Sequence, residues 1–211
     1  MVYVPVNMNW DEYEVYHPGV SGPMNTLPRS EARKAFIRLM RAKPERIEML
    51  RRLLMAGGVE LSSADSAIQE VNDWFRGNVE ADSEKPGRLL PEWYSVVNDV
   101  ALFIGDVIIE RCPHLDWKFF VWGKKNVSYQ RHVIMGFSQV ANPKYNIDVD
   151  MAVASYAHRI VSSRGSIAHY GRVSIRGVEI DMDVAMGDVR HKFEVEVDAF
   201  LQLVKIAESQ A

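Results

Sequence analysis

Cysteine is all but missing from this 211-residue chain, where Cys112 stands alone. A single thiol excludes an intramolecular disulfide and a cysteine-built zinc cage, and it fits a reducing, cytoplasmic setting. Long uncharged apolar runs are missing as well. The most apolar stretch is interrupted by Asn98, Asp99 and Asp106, so no segment reads as a membrane span. The first thirty residues carry Asp11, Glu12 and Glu14 and no apolar run, so no secretory leader is expected. Nor does one sign of charge dominate: the net −3 points to no particular partner.

The motifs of several enzyme classes are absent too. Neither Gly-x-Gly-x-x-Gly nor a Walker sequence occurs, which counts against nucleotide-dependent chemistry. No Gly-x-Ser-x-Gly elbow is present. His114, His132, His158, His169 and His191 are scattered, with no His-x-x-x-His or Glu-x-x-His on one helix, so no metal site and no cofactor are expected. Cys112, between Arg111 and Pro113 at a helix end, reads as a buried and inert thiol.

What is present is a core. From Leu90 to Trp122, Trp93, Val96, Val97, Val100, Phe103, Ile104, Val107 and Ile108 recur at steps of three and four, the period of one helix face. Pro91 suits the first turn and Pro113 closes the segment. Trp117, Phe119 and Val121 then alternate with Lys118, Phe120 and Trp122 as a strand. Gly105 is costly in a helix interior and implies close approach of another backbone. Asp99 and Asp106, two turns apart, read as the solvated stripe of a partly exposed helix; the alternative makes them polar groups at a cleft.

Before this core come an arm, residues 1–28, with the acidic–aromatic run Trp10 to Tyr16, and then helices. Lys43-Pro44 reads as a break between two of them, with Gly57-Gly58 as the stop. Ser62-Ser63-Ala64-Asp65 reads as a capping-box start for a third. Residues 78–88 are a polar loop, the boundary of a helical subdomain 29–78 if there is one. Beyond the core, residues 127–140 form the second strand of a hairpin with Val133, Met135 and Phe137 on one face. Tyr145 and Ile147 add a short strand, and Asp148 caps a helix with Val149, Ala152, Val153, Tyr156, Ala157 and Ile160 on its face, ended by Ser162 to Gly165. Val173 and Ile175 face Val178 and Ile180 across Arg176-Gly177 in a second hairpin, and a last helix carries Phe193, Val197, Phe200, Leu201 and Val204. The expected fold is α+β: a helical N-terminal part, a long central core helix, and antiparallel β-hairpins flanked by helices, with residues 29–211 as one domain.

Two clusters are candidate sites. Residues 29–52 hold nine Lys or Arg against three Glu, a surplus of six that leaves nine net negative charges elsewhere. Arg33, Lys34, Arg38 and Arg41 fall opposite Ala35, Phe36, Leu39 and Met40, which makes them an exposed stripe and candidate binding residues; a plain solvated face is the blander account. Glu179, Asp181 and Asp183 alternate on a strand and, with His191, are the candidate catalytic set of a hydrolase. Charges that guard a strand edge explain the three carboxylates equally well.

The strings Gly105-Asp106-Val107-Ile108, Pro113-His114-Leu115-Asp116-Trp117, Val133-Ile134-Met135-Gly136-Phe137 and Asn142-Pro143 resemble small bacterial domains in which an apolar helix leads into a Trp-bearing strand and a hairpin. Such domains occur among immunity-type and other interaction proteins. The resemblance covers residues 90–145 and implies no catalytic residue. It implies a protein that works by binding. The missing enzyme motifs add the expectation of a non-enzymatic protein that binds another macromolecule in an immunity-like or inhibitory role, with a hydrolase as the alternative and a homo-oligomer left open. A protein partner is expected, and duplex nucleic acid and membrane are not, because the −9 body behind the basic stripe would repel phosphates.

Overall fold

The computed structural model describes residues 10–85, 87–165, 172–175, 178–181 and 195–211, with backbone alone for 172–175 and 178–181. Among the described residues five α-helices, α1 (Arg29–Met55), α2 (Asp65–Asn78), α3 (Pro91–Arg111), α4 (Val149–Gly165) and α5 (Ala199–Gln210), accompany two antiparallel pairs. These are β1 (Asp116–Phe119) with β2 (His132–Met135), and β3 (Arg172–Ile175) with β4 (Val178–Asp181). The fold is α+β and helix-rich.

α3 is the hub. Its buried residues, from Trp93 through Phe103 to Ile108, extend over more than one face, so it cannot rest on a single neighbour. It packs on α1, α4 and α5, and α5 packs in turn on α2. Trp93, Phe103, Trp117 and Phe137 share its core, as their periodicity implies. Pro91 sits in the first turn, and Asp148 caps α4 by accepting from the Met151 amide at 3.0 Å. Among the described residues no helix is long and apolar enough to cross a membrane.

Pro44 does not break α1, contrary to expectation. Ala32, Ala35, Leu39, Arg46, Leu50 and Leu53 keep one helical phase through it and are all buried, while Pro44 faces solvent. A proline inside a helix forfeits one backbone bond, and a continuous stripe against α3 outweighs that loss. The capping box at Ser62 does not form either. α2 starts at Asp65 with Ala64 as its cap and no side-chain cap bond: Ser62 Oγ lies only near the Ala64 amide (3.5 Å), and Arg111 takes Asp65 (2.7 Å).

The first hairpin is shorter than its apolar pattern suggests, four residues a strand, with Trp117 opposite Ile134. Ile147 bridges to Ile134 as a third partner. In the second pair Val173 lies opposite Ile180 and Ile175 opposite Val178, the pairing read from sequence; Arg176 and Gly177 lie outside the described residues. α5 begins at Ala199, so Val197 precedes it and is exposed, while Phe193 lies outside the described residues.

Candidate functional site

Asp99 is not part of a solvated stripe: it is fully buried. Arg46 reaches it from α1 with two bonds, Nε to Oδ1 at 3.0 Å and Nη2 to Oδ2 at 2.6 Å. The Tyr13 hydroxyl donates to Oδ2 at 2.5 Å and accepts from Arg46 Nη2 at 3.0 Å. Asn98 Nδ2 supplies a fourth bond at 3.1 Å. A carboxylate taken out of water is tolerated when its lone pairs are satisfied in this way. Burial, helped by the Asp99 charge, pushes the Tyr13 phenol far up, so it stays a protonated donor. Burial also pushes the Asp99 carboxyl up, with the bonds from Arg46 and Tyr13 opposing.

This network fastens the arm. Tyr13 is inserted beside α3, Trp10 packs edge-on against Trp93 (ring centres 5.7 Å apart), and Arg46 Nη1 donates to the Glu14 carbonyl at 2.6 Å. Further along, Arg38 Nη2 donates to the Pro18 carbonyl at 2.8 Å, where Gly19 at φ +65° turns the chain. Gln130 Nε2 then holds the Met24 and Leu27 carbonyls at 2.7 and 3.0 Å. Gln130 has φ +64°, the one described non-glycine residue in that strained region.

The fastened arm roofs a cleft of about 270 Å³. Val15, Tyr16, Val20 and Met24 come from the arm, Phe36 and Leu39 from the inner face of α1, Tyr94 and Asn98 from α3, and Arg131, His132 and Asp150 from β2 and its surroundings. Arg131 bonds Asp148 at 2.6 Å and Asp150 at 2.5 Å. His132 lies beside Trp117 (ring centres 5.7 Å), and its Nε2 is shielded from solvent with no hydrogen-bond partner. Burial lowers the His132 pKa, against the pull of Asp150 and Asp148, so the ring is neutral.

Asp106, the other acid of α3, is half-buried and joins three elements. Lys43 Nζ contacts its two oxygens at 2.5 and 2.8 Å, and Trp117 Nε1 donates to Oδ1 at 2.9 Å. Gly105 beside it meets the Trp117 indole; the close neighbour is a side chain and not a second backbone.

Of the residues singled out from sequence, Arg33, Lys34, Arg38 and Arg41 are exposed on α1. Arg38 is tied to the arm, whereas Arg33, Lys34 and Arg41 make no ion pair with any described residue. Lys43 and Arg46, counted with the basic stretch, are instead spent on Asp106 and Asp99. Glu179 and Asp181 share one side of β4 by their spacing, while Asp183 and His191 lie outside the described residues. Among the described residues no three His, Cys, Asp or Glu are grouped to hold a metal. Residues 1–28 were legible as an arm with the aromatic run from Trp10 to Tyr16, but the cleft beneath it was not. No protein-family model, curated protein or solved structure matches this chain.

Proposed function

We propose that the protein acts without catalysis, by binding the acidic surface of another protein through the outer face of α1. The observation that carries this reading is the set of exposed cations Arg33, Lys34 and Arg41, which have no ion-pair partner among the described residues. They surround Ile37, 39% exposed on the same helix face. Cations with an apolar centre suit an acidic partner, and arginine is favoured at such interfaces. The helix is held along its inner side by the core, so little order remains to be gained on binding. The Phe36–Phe119 ring contact (5.8 Å) ties this helix to β1, whose following loop exposes Trp122, Lys124 and Lys125. An inhibitory, immunity-type role is the form of binding that the resemblance of residues 90–145 suggests.

The test is co-purification of the tagged protein from its native cell, compared with an Arg33→Glu/Lys34→Glu/Arg41→Glu variant of unchanged melting temperature. A partner with an acidic surface should be retained by the native chain at physiological salt, released at high salt, and lost in the variant. Capture that ignores the charge reversal would refute the assignment. Micromolar, salt-sensitive binding in a gel shift would transfer the face to nucleic acid, each phosphate contact adding about −0.9 to the salt slope on duplex DNA.

A further inference from the structure

We infer that the cleft beneath the arm binds a small uncharged molecule with an apolar ring and a polar edge of amide or hydroxyl type. This goes beyond the macromolecular partner proposed above and uses the opposite side of α1: Phe36 and Leu39 face the cleft, while Arg33, Lys34 and Arg41 face solvent.

Three observations define the ligand. The first is size. About 270 Å³ lies just below the roughly 300–1,000 Å³ of sites that take drug-sized molecules, so one or two rings fill it.

The second is the division of its lining. Val20, Met24, Phe36 and Leu39 offer only carbon or sulfur, whereas Tyr16 and Asn98 offer hydrogen-bonding groups. Neither the Tyr16 hydroxyl nor the Asn98 carbonyl oxygen bonds a described residue, and neither is shut off from solvent, so both are open to the cleft; His132 Nε2 is shielded inside the wall. Covering these two groups with a ligand that does not bond them would cost free energy. A ligand edge that both donates and accepts meets that need.

The third is charge. Arg131 is answered by Asp148 and Asp150, and both acids stand at the start of α4, where the helix N-terminus offsets the second negative charge. His132 is neutral. An ionic ligand would therefore lose its hydration without meeting a free counter-charge.

The cleft is also formed in advance. Tyr13, Pro18 with Gly19, and Met24 with Leu27 hold the roof at three points, so no segment has to be ordered when the ligand enters.

Benzamide, benzoate and benzylamine form a test set with one ring size and three charges. Each is titrated into the full chain carrying ¹³C-labelled histidine, with ligand-observed NMR in parallel. Benzamide should shift the His132 ring signals, and the two ions should bind at least about tenfold more weakly, the scale of an uncompensated polar contact. Tyr16→Phe should weaken benzamide by about tenfold, and Val20→Trp should fill the cleft and abolish its binding. Melting temperatures establish that each variant is folded. Binding of either ion as tightly as benzamide, or benzamide binding untouched by both substitutions, overturns the inference. So does a folded native chain that binds none of the three at millimolar concentration.

Discussion

The indole of Trp117 lies on the bare backbone of Gly105, so close that a Cβ added there would stand 2.0 Å from Cζ2 and 2.5 Å from Cη2. The next residue, Asp106, accepts the indole N–H at 2.9 Å, so one turn of α3 receives both ring carbons and the polar corner of the indole. Helix propensity alone says that Gly105→Ala stabilises by about 1 kcal/mol. The contact reverses that sign. Gly105→Ala should destabilise by about 3 kcal/mol or more, as overpacking of a rigid ring does, and urea unfolding of the two proteins measures it. Trp117→Ala should cost about 3–5 kcal/mol, and Gly105→Ala should cost much less in that background. A stabilised single variant would show that the indole is free to move aside.

The Arg46–Asp99 pair should behave as a buried unit. Asp99→Asn or Arg46→Met alone leaves one partner uncompensated and should cost about 3–5 kcal/mol. The Arg46→Met/Asp99→Leu double variant should cost less than the sum of the singles. Since Tyr13 and the Glu14 carbonyl bond the same groups, each single variant should also speed protease cleavage within residues 13–27. Additive energies, or an arm as resistant as before, would contradict the network.

His132 makes stability depend on pH. Its folded pKa is below the ordinary 6.5 through burial, with Arg131 adding to the shift and Asp150 and Asp148 opposing it. As pH falls below 6.5 the unfolded chain takes up this proton first, so its contribution is complete above that value and is lost as pH falls towards the folded pKa. Melting temperatures should drop between neutral pH and pH 5, and drop less in His132→Gln. Equal slopes for the two proteins would remove His132 from the account.

Cys112 is 7% exposed, and its thiol is pushed up by burial and the Glu208 charge, with Arg111 opposing. Reaction with an aromatic disulfide reagent at neutral pH should be slow in the native protein and fast in denaturant. Fast native modification would mark an opening of the α3 end.

α3 could be read from its residues because every cue there is local: a run of apolar positions at helical steps, Pro91 inside the start and Pro113 beyond the end. The Asp148 cap and the pairing of Val173 with Ile180 were legible for the same reason, since both rest on neighbours within a few residues. The basic surplus of α1 was legible as composition. Which of its cations remain free was not, because Lys43 and Arg46 are claimed by acids 63 and 53 residues away.

Pro44 was misread as a boundary because its own chemistry opposes a helix, and only the stripe packed on α3 overrules it. Asp99 was misread as solvated because a carboxylate in an apolar helix has no local sign of a partner; its partners lie on α1 and, 86 residues away, on the arm at Tyr13. Sequence alone determined where helices and turns have their preferences, which are energies of neighbouring residues. The cleft, its roof and the lowered pKa of His132 were decided by the tertiary structure, because burial and counter-charge arise only when distant segments are brought together.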